Sequence, residues 1–321
     1  MTKFWKSFLL ITLFSQIFFL SCSTEPKSAI RIGTNIWPGY EPLYLAQELG
    51  YYDQYNIKLI EYFSSSDVIN AFRNGTLDAA ALTLDEVLML NETLPDISII
   101  CILDFSNGAD IVVGKPYINN LNKLKGKRVG VESTALGAFM LARALEKAQL
   151  TPDEIEIKPF VISEHEKAFK ENLVDAIVTF EPVKTKLIAS GAVSLFDSSQ
   201  IPGEIIDVLV VRNSVIETNY KQLLQLVNGW SKALTYINNN NYHSAAIMAR
   251  REQLTTEEFI NSLKGLHLVD IKENKKMLTE NLSSIEKTAK KLIEIMRASH
   301  LIEKQIEIDS LFNSRIISES E

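Results

Sequence analysis

Residues 128–144 read RVGVESTALGAFMLARA, and the order of residue types in this stretch decides the fold. An apolar strand, Val129 to Val131, runs into a polar corner of Glu132, Ser133 and Thr134 and then into a helix whose apolar side is Leu136, Phe139, Met140 and Ala144. Ser133 or Thr134 stands where an N-cap belongs, so the first helical N–H groups point out of the corner and offer a seat to an anion or a polar ligand atom. The chain carries this module twice. Arg31, Ile32, Gly33 and Thr34 lie 97 positions before Arg128, Val129, Gly130 and Val131, and the same 97 separates Ala71-Phe72 from Ala168-Phe169 and Asp78-Ala79 from Asp175-Ala176. Each copy is a βαβαβ unit, so the chain is α/β with two similar lobes. Ligands of open α/β sheets bind outside the carboxyl ends of the strands, which places both corners on a cleft between the lobes.

The 321 residues suffice for two domains, and a hydrophobic fraction of 46% with 23% charged residues describes an ordinary globular protein. A net charge of −7, with no basic run, argues against a nucleic-acid partner because nothing would neutralise phosphates. Residues 1–22 read as a secretory signal: Lys3 and Lys6, the apolar run Phe8 to Leu20, then Ser21-Cys22. Cys22 resembles the lipidated cysteine of a bacterial lipobox, although Phe19 replaces the usual Leu. A plain cleaved signal or an uncleaved anchor is the alternative. Residues 23–28 then form a tether. The other cysteine, Cys101, falls in an apolar run and reads as an inert core residue.

Further along, Ile30–Thr34, Ile57–Phe63 and Asp78–Thr83 read as strands of the first lobe, with Ile97–Leu103 and Asp110–Val113 completing its sheet. Ser65 or Ser66 caps the helix through Arg73. In the second lobe Ser163 and Glu166 fit a capping box, Asp175–Phe180 and Val193–Asp197 are strands, and Ile205–Val211 returns to the first lobe as a second crossover. From Asn213 the pattern is helical, over Val215–Ile237, Tyr242–Arg251, Thr255–Leu263 and Glu273–Ala298, a cover for the first lobe; the acidic tail 316–321 reads as frayed.

Trp37 and Tyr40, flanking Pro38-Gly39 in the first corner, offer flat faces to a planar or cationic ligand; alternatively Trp37 plugs the core at the strand end. Thr83, Asp85, Thr179 and Glu181 end the two echoed strands at the cleft side. A Glu181 carboxylate beside Phe180 needs a positive or donor partner, unless it is simply a charge at a helix N-terminus. The four histidines are dispersed, and no HExxH, paired CxxC, GxSxG, GxGxxG or GxxxxGK[ST] occurs, so no metal, cofactor or catalytic residue is expected.

The stretches IGTNIWPGYEPLYLAQELGYY, NGTLDAAALTLDEV, DFSNGADIVVG, LKGKRVGVESTALGAFMLARALE, VDAIVTFEPV and LFDSSQIPGEIIDVLVV, in that order and spacing, resemble the solute-binding lipoproteins of ABC importers in the nitrate, sulfonate, taurine and thiamine-pyrimidine-precursor superfamily. The resemblance implies a type II periplasmic-binding-protein fold, two βαβ-built lobes with a ligand cleft and two hinge crossovers. It divides the chain into a signal peptide (1–22), a tether (23–28), lobe 1 (29–114 plus 205–321) and lobe 2 (115–204). By position the pocket would include Trp37, Tyr40, Thr83, Ser106 and Asn107, then Ser133, Thr134 and Glu181, with Asp207 near the returning hinge. Ser133 and Thr134 match the place where relatives hold an oxyanion, while Glu181 and Asp207 suit an amine or a ring N–H. The function implied is capture of a small polar organic solute, a sulfonate, an amine or a pyrimidine-like molecule, by a monomer that is lipid-anchored on the periplasmic side of a bacterial membrane and delivers to an ABC permease. A sensory accessory lipoprotein for a membrane histidine kinase or cyclase is the alternative. An enzyme of the same fold, the pyrimidine synthase of the yeast thiamine type, carries a cysteine-rich run, and Cys22 and Cys101 do not supply one.

Overall fold

A computed structural model describes residues 29–308 and 310–321, so the signal-like stretch, the Cys22 lipobox and the tether lie outside the described residues. The strands, in chain order, are β1 Ile30–Thr34, β2 Ile57–Glu61, β3 Ala79–Thr83, β4 Ile97–Ser106, β5 Ile111–Gly114, β6 Arg128–Val131, β7 Glu156–Pro159, β8 Ala176–Thr179, β9 Val193–Asp197, β10 Ile206–Arg212 and β11 Leu266–Leu268. They form two sheets, one ordered β11-β4-β10-β3-β1-β2 and the other β7-β6-β8-β5-β9. Each has three parallel strands followed by one antiparallel strand that comes from the far side of the chain.

That last strand corrects the sequence reading. Asp110–Val113 does not complete the first sheet: β5 pairs with β8 and β9 of the second, while β10 pairs with β3 and β4 of the first. The lobes have exchanged equivalent strands. An isolated apolar run carries no mark of the sheet it will join, because either neighbour buries it equally well.

The echo extends into the registers. Ile32↔Ala79 in the first sheet becomes Val129↔Ala176 in the second, and Val208↔Leu82 becomes Ile111↔Thr179, each partner again displaced by 97. The exchanged strands share a register shift at one equivalent place, between Leu209 and Val210 and between Val112 and Val113. The Arg and Asp of each copy form a staple: Arg31 Nε and Nη2 donate to Asp78 at 2.9 and 2.7 Å, and Arg128 Nε and Nη2 donate to Asp175 at 3.0 and 2.9 Å. In both copies the arginine backbone N–H also donates to the same carboxylate, at 2.8 and 3.0 Å, closing the start of the first strand onto the start of the third. Gly33 and Gly130 let a side chain cross the sheet, since a Cβ would stand 2.2 Å from Leu77 Cδ1 in one copy and 2.9 Å from Ile177 Cγ1 in the other. The first helices after β2 and β7, Ser65–Arg73 and Ile162–Lys170, match end to end. Their caps differ. Ser64 caps the first through Asp67 N–H, and Val161 precedes the second, so neither the Ser65/Ser66 cap nor the Ser163–Glu166 capping box forms.

The C-terminal third covers the first sheet. Trp230, in the helix Tyr220–Asn239, donates to Val269 O at 3.0 Å, and β11 extends the sheet beside β4. The continuous helix expected over Glu273–Ala298 is broken into Ile271–Lys275, a π turn over Lys276–Glu280 and Leu282–Ala298. Asn274 is buried in the first of these and pairs with the β4 backbone, accepting from Ile102 N–H at 2.7 Å and donating to Ile102 O at 2.8 Å. The tail is not frayed: Arg315–Glu319 is helical, with Ile316 and Ile317 buried against the core. No described helix is long and apolar enough to cross a membrane.

Candidate functional site

The strand ends build the floor of the cleft. Asp207, at the start of β10, pairs with Thr83 at the end of β3 on one side and with Asp104 near the end of β4 on the other, so one row across the first sheet carries threonine, carboxylate and carboxylate. The first corner closes over this row. Trp37 Nε1 donates to Asp104 Oδ2 at 3.1 Å, and the Tyr40 hydroxyl donates to Asp207 Oδ1 in a short hydrogen bond. The chain can lie this close only because residue 39 is glycine: a Cβ there would be 2.0 Å from Asp104 Oδ2 and 2.4 Å from Trp37 Nε1.

From the second lobe, Phe180 meets Trp37 edge to face, with ring centroids 5.7 Å apart and planes at 81°. Around this contact is a small cavity lined by Asn35, Trp37, Tyr40, Thr83, Glu86 and Asp207 of the first half and by Asp110, Leu136 and Phe180. A second chamber shares Asp110, Leu136 and Phe180 with it and runs into the second lobe past Glu132, Thr134, His165 and Thr179. Each holds about 10 Å³, room for roughly one water. The two lobes are thus closed upon each other. Ser66 Oγ, at the N-terminus of Ser65–Arg73, donates across the cleft to Glu132 Oε1 at 3.3 Å. At the hinge, the Ser106 and Ser198 hydroxyls bond at 2.8 Å and Gly108 N–H donates to Ser198 Oγ at 2.6 Å. Behind it, Glu204 accepts from Arg143 Nε and from Lys291 Nζ, both at 2.9 Å.

The electrostatics are one-sided. Asp104, Asp110, Asp207, Glu86 and Glu132 are all at least nine-tenths buried, and among the described residues no lysine or arginine lines either chamber. Burial pushes the Asp104 and Asp110 carboxyls up to about 7, and Glu132 likewise to about 7 against the opposing pull of Ser66. Asp207 and Glu86 are driven well above the ordinary carboxylate range, by burial first and then by the neighbouring charge of Asp104 for the one and Asp85 for the other. His165 is held neutral: burial lowers it to about 4, while its ring nitrogens meet Thr179 Oγ1 at 3.2 Å and Phe160 O at 3.1 Å. No group of three or more His, Cys, Asp or Glu with metal-holding geometry occurs among the described residues.

Of the nine residues expected at the pocket, Trp37, Tyr40, Thr83 and Asp207 line the first chamber and Thr134 the second. Four do not. Ser133 is exposed, because its neighbour Glu132 takes the inward direction; Thr134 is the cap, accepting from Gly137 N–H at 3.2 Å. Asn107 is exposed beyond the hinge, and Ser106 is buried in it, holding Ser198. Glu181 is buried but turned into its own helix start, accepting from Thr185 N–H at 3.1 Å with Lys184 Nζ at 3.2 Å, so Trp37, Ser133 and Glu181 share no chamber. Sequence reasoning passed over Glu86, Asp104, Asp110 and Glu132. One signal for Asp110 was present: it stands 97 positions before Asp207, a further match in the repeat.

The family model of the NMT1-like family matches residues 23–250, well over half of the chain. The chain belongs to the NMT1-like family. No curated protein sequence matches it. Among solved structures it is similar to the ligand-binding component of an ABC-type import system from Staphylococcus aureus with zinc bound (14% identity, TM-score 0.76, 92% of this chain and 99% of that one). It is likewise similar to the alkanesulfonate-binding protein SsuA from Xanthomonas axonopodis pv. citri bound to MOPS (16%, TM-score 0.75, 91% and 100%). The desulfurization enzyme DSZB shares the fold as well (16%, TM-score 0.63, 90% and 98%). At these identities the likeness is one of architecture, and this NMT1-like chain has the type II periplasmic-binding-protein fold, two lobes joined by the exchanged strands with a cleft between them.

Proposed function

We propose that this protein is an extracytoplasmic solute-binding protein: it captures a small polar organic solute between its lobes and delivers it to an ABC importer. One observation carries the reading. A single chamber draws its walls from both lobes, Trp37, Tyr40 and Asp207 from one and Asp110, Leu136 and Phe180 from the other, so a solute larger than the one water this closed form has room for enters as the lobes part and gains contacts from both only as they close around it. The solved structures of binding components with this fold support it.

Capture is favoured over catalysis because Cys101, the one described cysteine, is buried in β4 with its thiol pushed up to about 12 by burial, and it lines neither chamber. We further propose that the protein is anchored through a lipid on Cys22, acts as a monomer, and hinges where the chain enters β5 and β10. The division is then residues 29 to about 109 plus 205–321 against the remainder. A sensory role, signalling through a membrane kinase or cyclase, uses the same closure; a permease and an ATPase encoded beside this gene favour import. A thermal-shift screen of small solutes tests capture itself, because a ligand that binds only the folded state stabilises it by mass action. A rise in melting temperature that saturates with one solute supports the reading, and a flat response across nitrate, sulfonates, amines and pyrimidines contradicts it. Metabolic labelling with a fatty acid, lost in Cys22→Ala, tests the anchor.

A further inference from the structure

Resting on that capture reading, we propose that the cleft selects a solute carrying a positive charge, an organic ammonium or amidinium group seated between the Asp207, Glu86 and Asp110 carboxylates and the rings of Trp37 and Phe180.

The carboxylates are not merely numerous. Asp207 Oδ2, Glu86 Oε1 and Asp110 Oδ2 each lie on a side chain that lines the chamber, each is buried, and none has a hydrogen-bond donor among the described residues. The adjoining Glu132 Oε2 is in the same condition, and Asp104, whose Oδ1 also has no donor from a neutral group, meets the Asp207 carboxyl itself. The other oxygens of Asp207, Asp104, Glu86 and Glu132 have definite partners. Asp207 Oδ1 takes the Tyr40 hydroxyl, Asp104 Oδ2 the Trp37 indole, Glu86 Oε2 the Thr83 N–H at 3.2 Å, and Glu132 Oε1 the Ser66 hydroxyl. The fold therefore orients these acids firmly and leaves one lone-pair face of each for something else. A buried carboxylate without a donor must either take up a proton or meet a cation. The aromatic rings at the same spot stabilise a cation further through their π faces.

The two helix N-termini that the corners bring to the cleft are already taken. The N-terminus of Ser65–Arg73, which faces the cleft, receives Glu132 from the opposite lobe, and the N-terminus of Ala135–Ala148 is capped by Thr134. His165 is neutral and bonded at both ring nitrogens. The titratable groups that bear on the chamber are Asp207, Asp104, Asp110, Glu86 with its neighbour Asp85, Glu132 and Tyr40; the one cation acting on Asp110 is Lys184, and it is paired with Glu181. A sulfonate entering here would face several carboxyls and no free positive group.

The test is a charge series matched in shape, benzylammonium, benzamidinium, benzyl alcohol and benzenesulfonate, with agmatine as an aliphatic dication beside it, measured by thermal shift and calorimetry on the full chain at pH 8. The expected result is stabilisation by one or more of the cations and none by the alcohol or sulfonate. In Asp207→Asn and Glu86→Gln the cation affinity should drop at least tenfold while the ligand-free proteins melt no lower than the parent. Asn107→Ala, at an exposed position outside both chambers, should bind as the parent does. Stabilisation by benzenesulfonate equal to or greater than that by the cations overturns the charge assignment and leaves capture standing. No response to any compound counts against both, and a cation response unchanged in Asp207→Asn and Glu86→Gln overturns the site.

Discussion

The two halves of this chain share a scaffold and differ at the corners. Arg31–Asp78 and Arg128–Asp175 are the same staple, with the same backbone bond and the same offset, and the exchanged strands keep one register shift at one place in both sheets. At the cleft the equivalence ends. The first corner, Asn35 to Tyr40, holds two aromatic donors down onto Asp104 and Asp207, whereas the second is a helix cap whose Glu132 reaches over to the opposite lobe. Strand pairing tolerates little change because a slip turns every side chain to the other face. Corners carry no such constraint, so the asymmetry of the site is written there.

The comparison breaks most completely at residue 39. Gly39→Leu places a side chain into the Asp104 carboxylate and the Trp37 indole, and a loss of ligand response of more than tenfold is expected, with destabilisation of about 1–3 kcal/mol from overpacking. Urea unfolding together with calorimetry reads both. Glycine 33 and 130, in contrast, guard the scaffold, and Gly33→Ala and Gly130→Ala should lower stability without a separate effect on affinity beyond the loss of folded protein.

A pH series sharpens the contrast between cleft and scaffold. Asp104, Asp110 and Glu132, lifted to about 7, bind protons in the folded protein that they release when it unfolds at neutral pH. Unfolded carboxyls titrate near 4, so stability from these groups declines as pH rises from about 4 through 7 and levels off above 8. His165, lowered to about 4, acts in the opposite sense between roughly pH 4 and 6.5, where the unfolded imidazole gains a proton the folded one refuses. Between pH 6.5 and 8 the cleft contribution is joined by that of Glu41, which burial outside the cleft lifts to about 8, and the ligand-free melting temperature should fall there. Asp207→Asn should fall less. Asp175, held well below the ordinary carboxylate range by Arg128, loses its contribution only at acid pH, a scaffold effect outside that window. Cation affinity should climb over the same interval, by at most tenfold per pH unit for each proton released.

The smallest effects are expected at the staples. Arg31→Ala and Arg128→Ala should each cost little, because both pairs are partly exposed and screened by solvent, and the two losses should match. Equal losses in chemical unfolding sharpen the equivalence of the halves; a clear inequality breaks it.

Much of this was legible in the chain. The strands β1, β3, β6 and β8 are short, largely buried apolar runs, and Arg, Asp and Gly mark their starts and crossings, so an offset of 97 survived as matched letters. The exchange of β5 was not legible, although Asp110 standing 97 before Asp207 pointed to equivalent strands entering the cleft from both sides. Site residues failed by parity. In the second corner Ser133 drew the reading, yet the residue before it faces inward and the residue after it caps the helix. Glu86 hid as an ordinary first-turn acid of Leu84–Asn91, and Asp104 as the polar end of an apolar strand, because nothing local distinguishes a solvated carboxylate from a buried one. The tail misled for the same reason: its charges outweighed Ile316 and Ile317, which tertiary packing buries.

Closure around a solute is the central claim, and a distance between the lobes tests it most directly. Phe63, exposed after β2, and Val161, exposed after β7 and one position past the equivalent of Phe63, stand one on each lobe. Spin labels at Phe63→Cys and Val161→Cys, in a Cys22→Ala background with Cys101 buried, report their separation by pulsed electron resonance. Addition of the solute that most raises the melting temperature should gather a broad or two-peaked distribution into one short distance. A single distance unaltered by that solute at saturation would contradict the account.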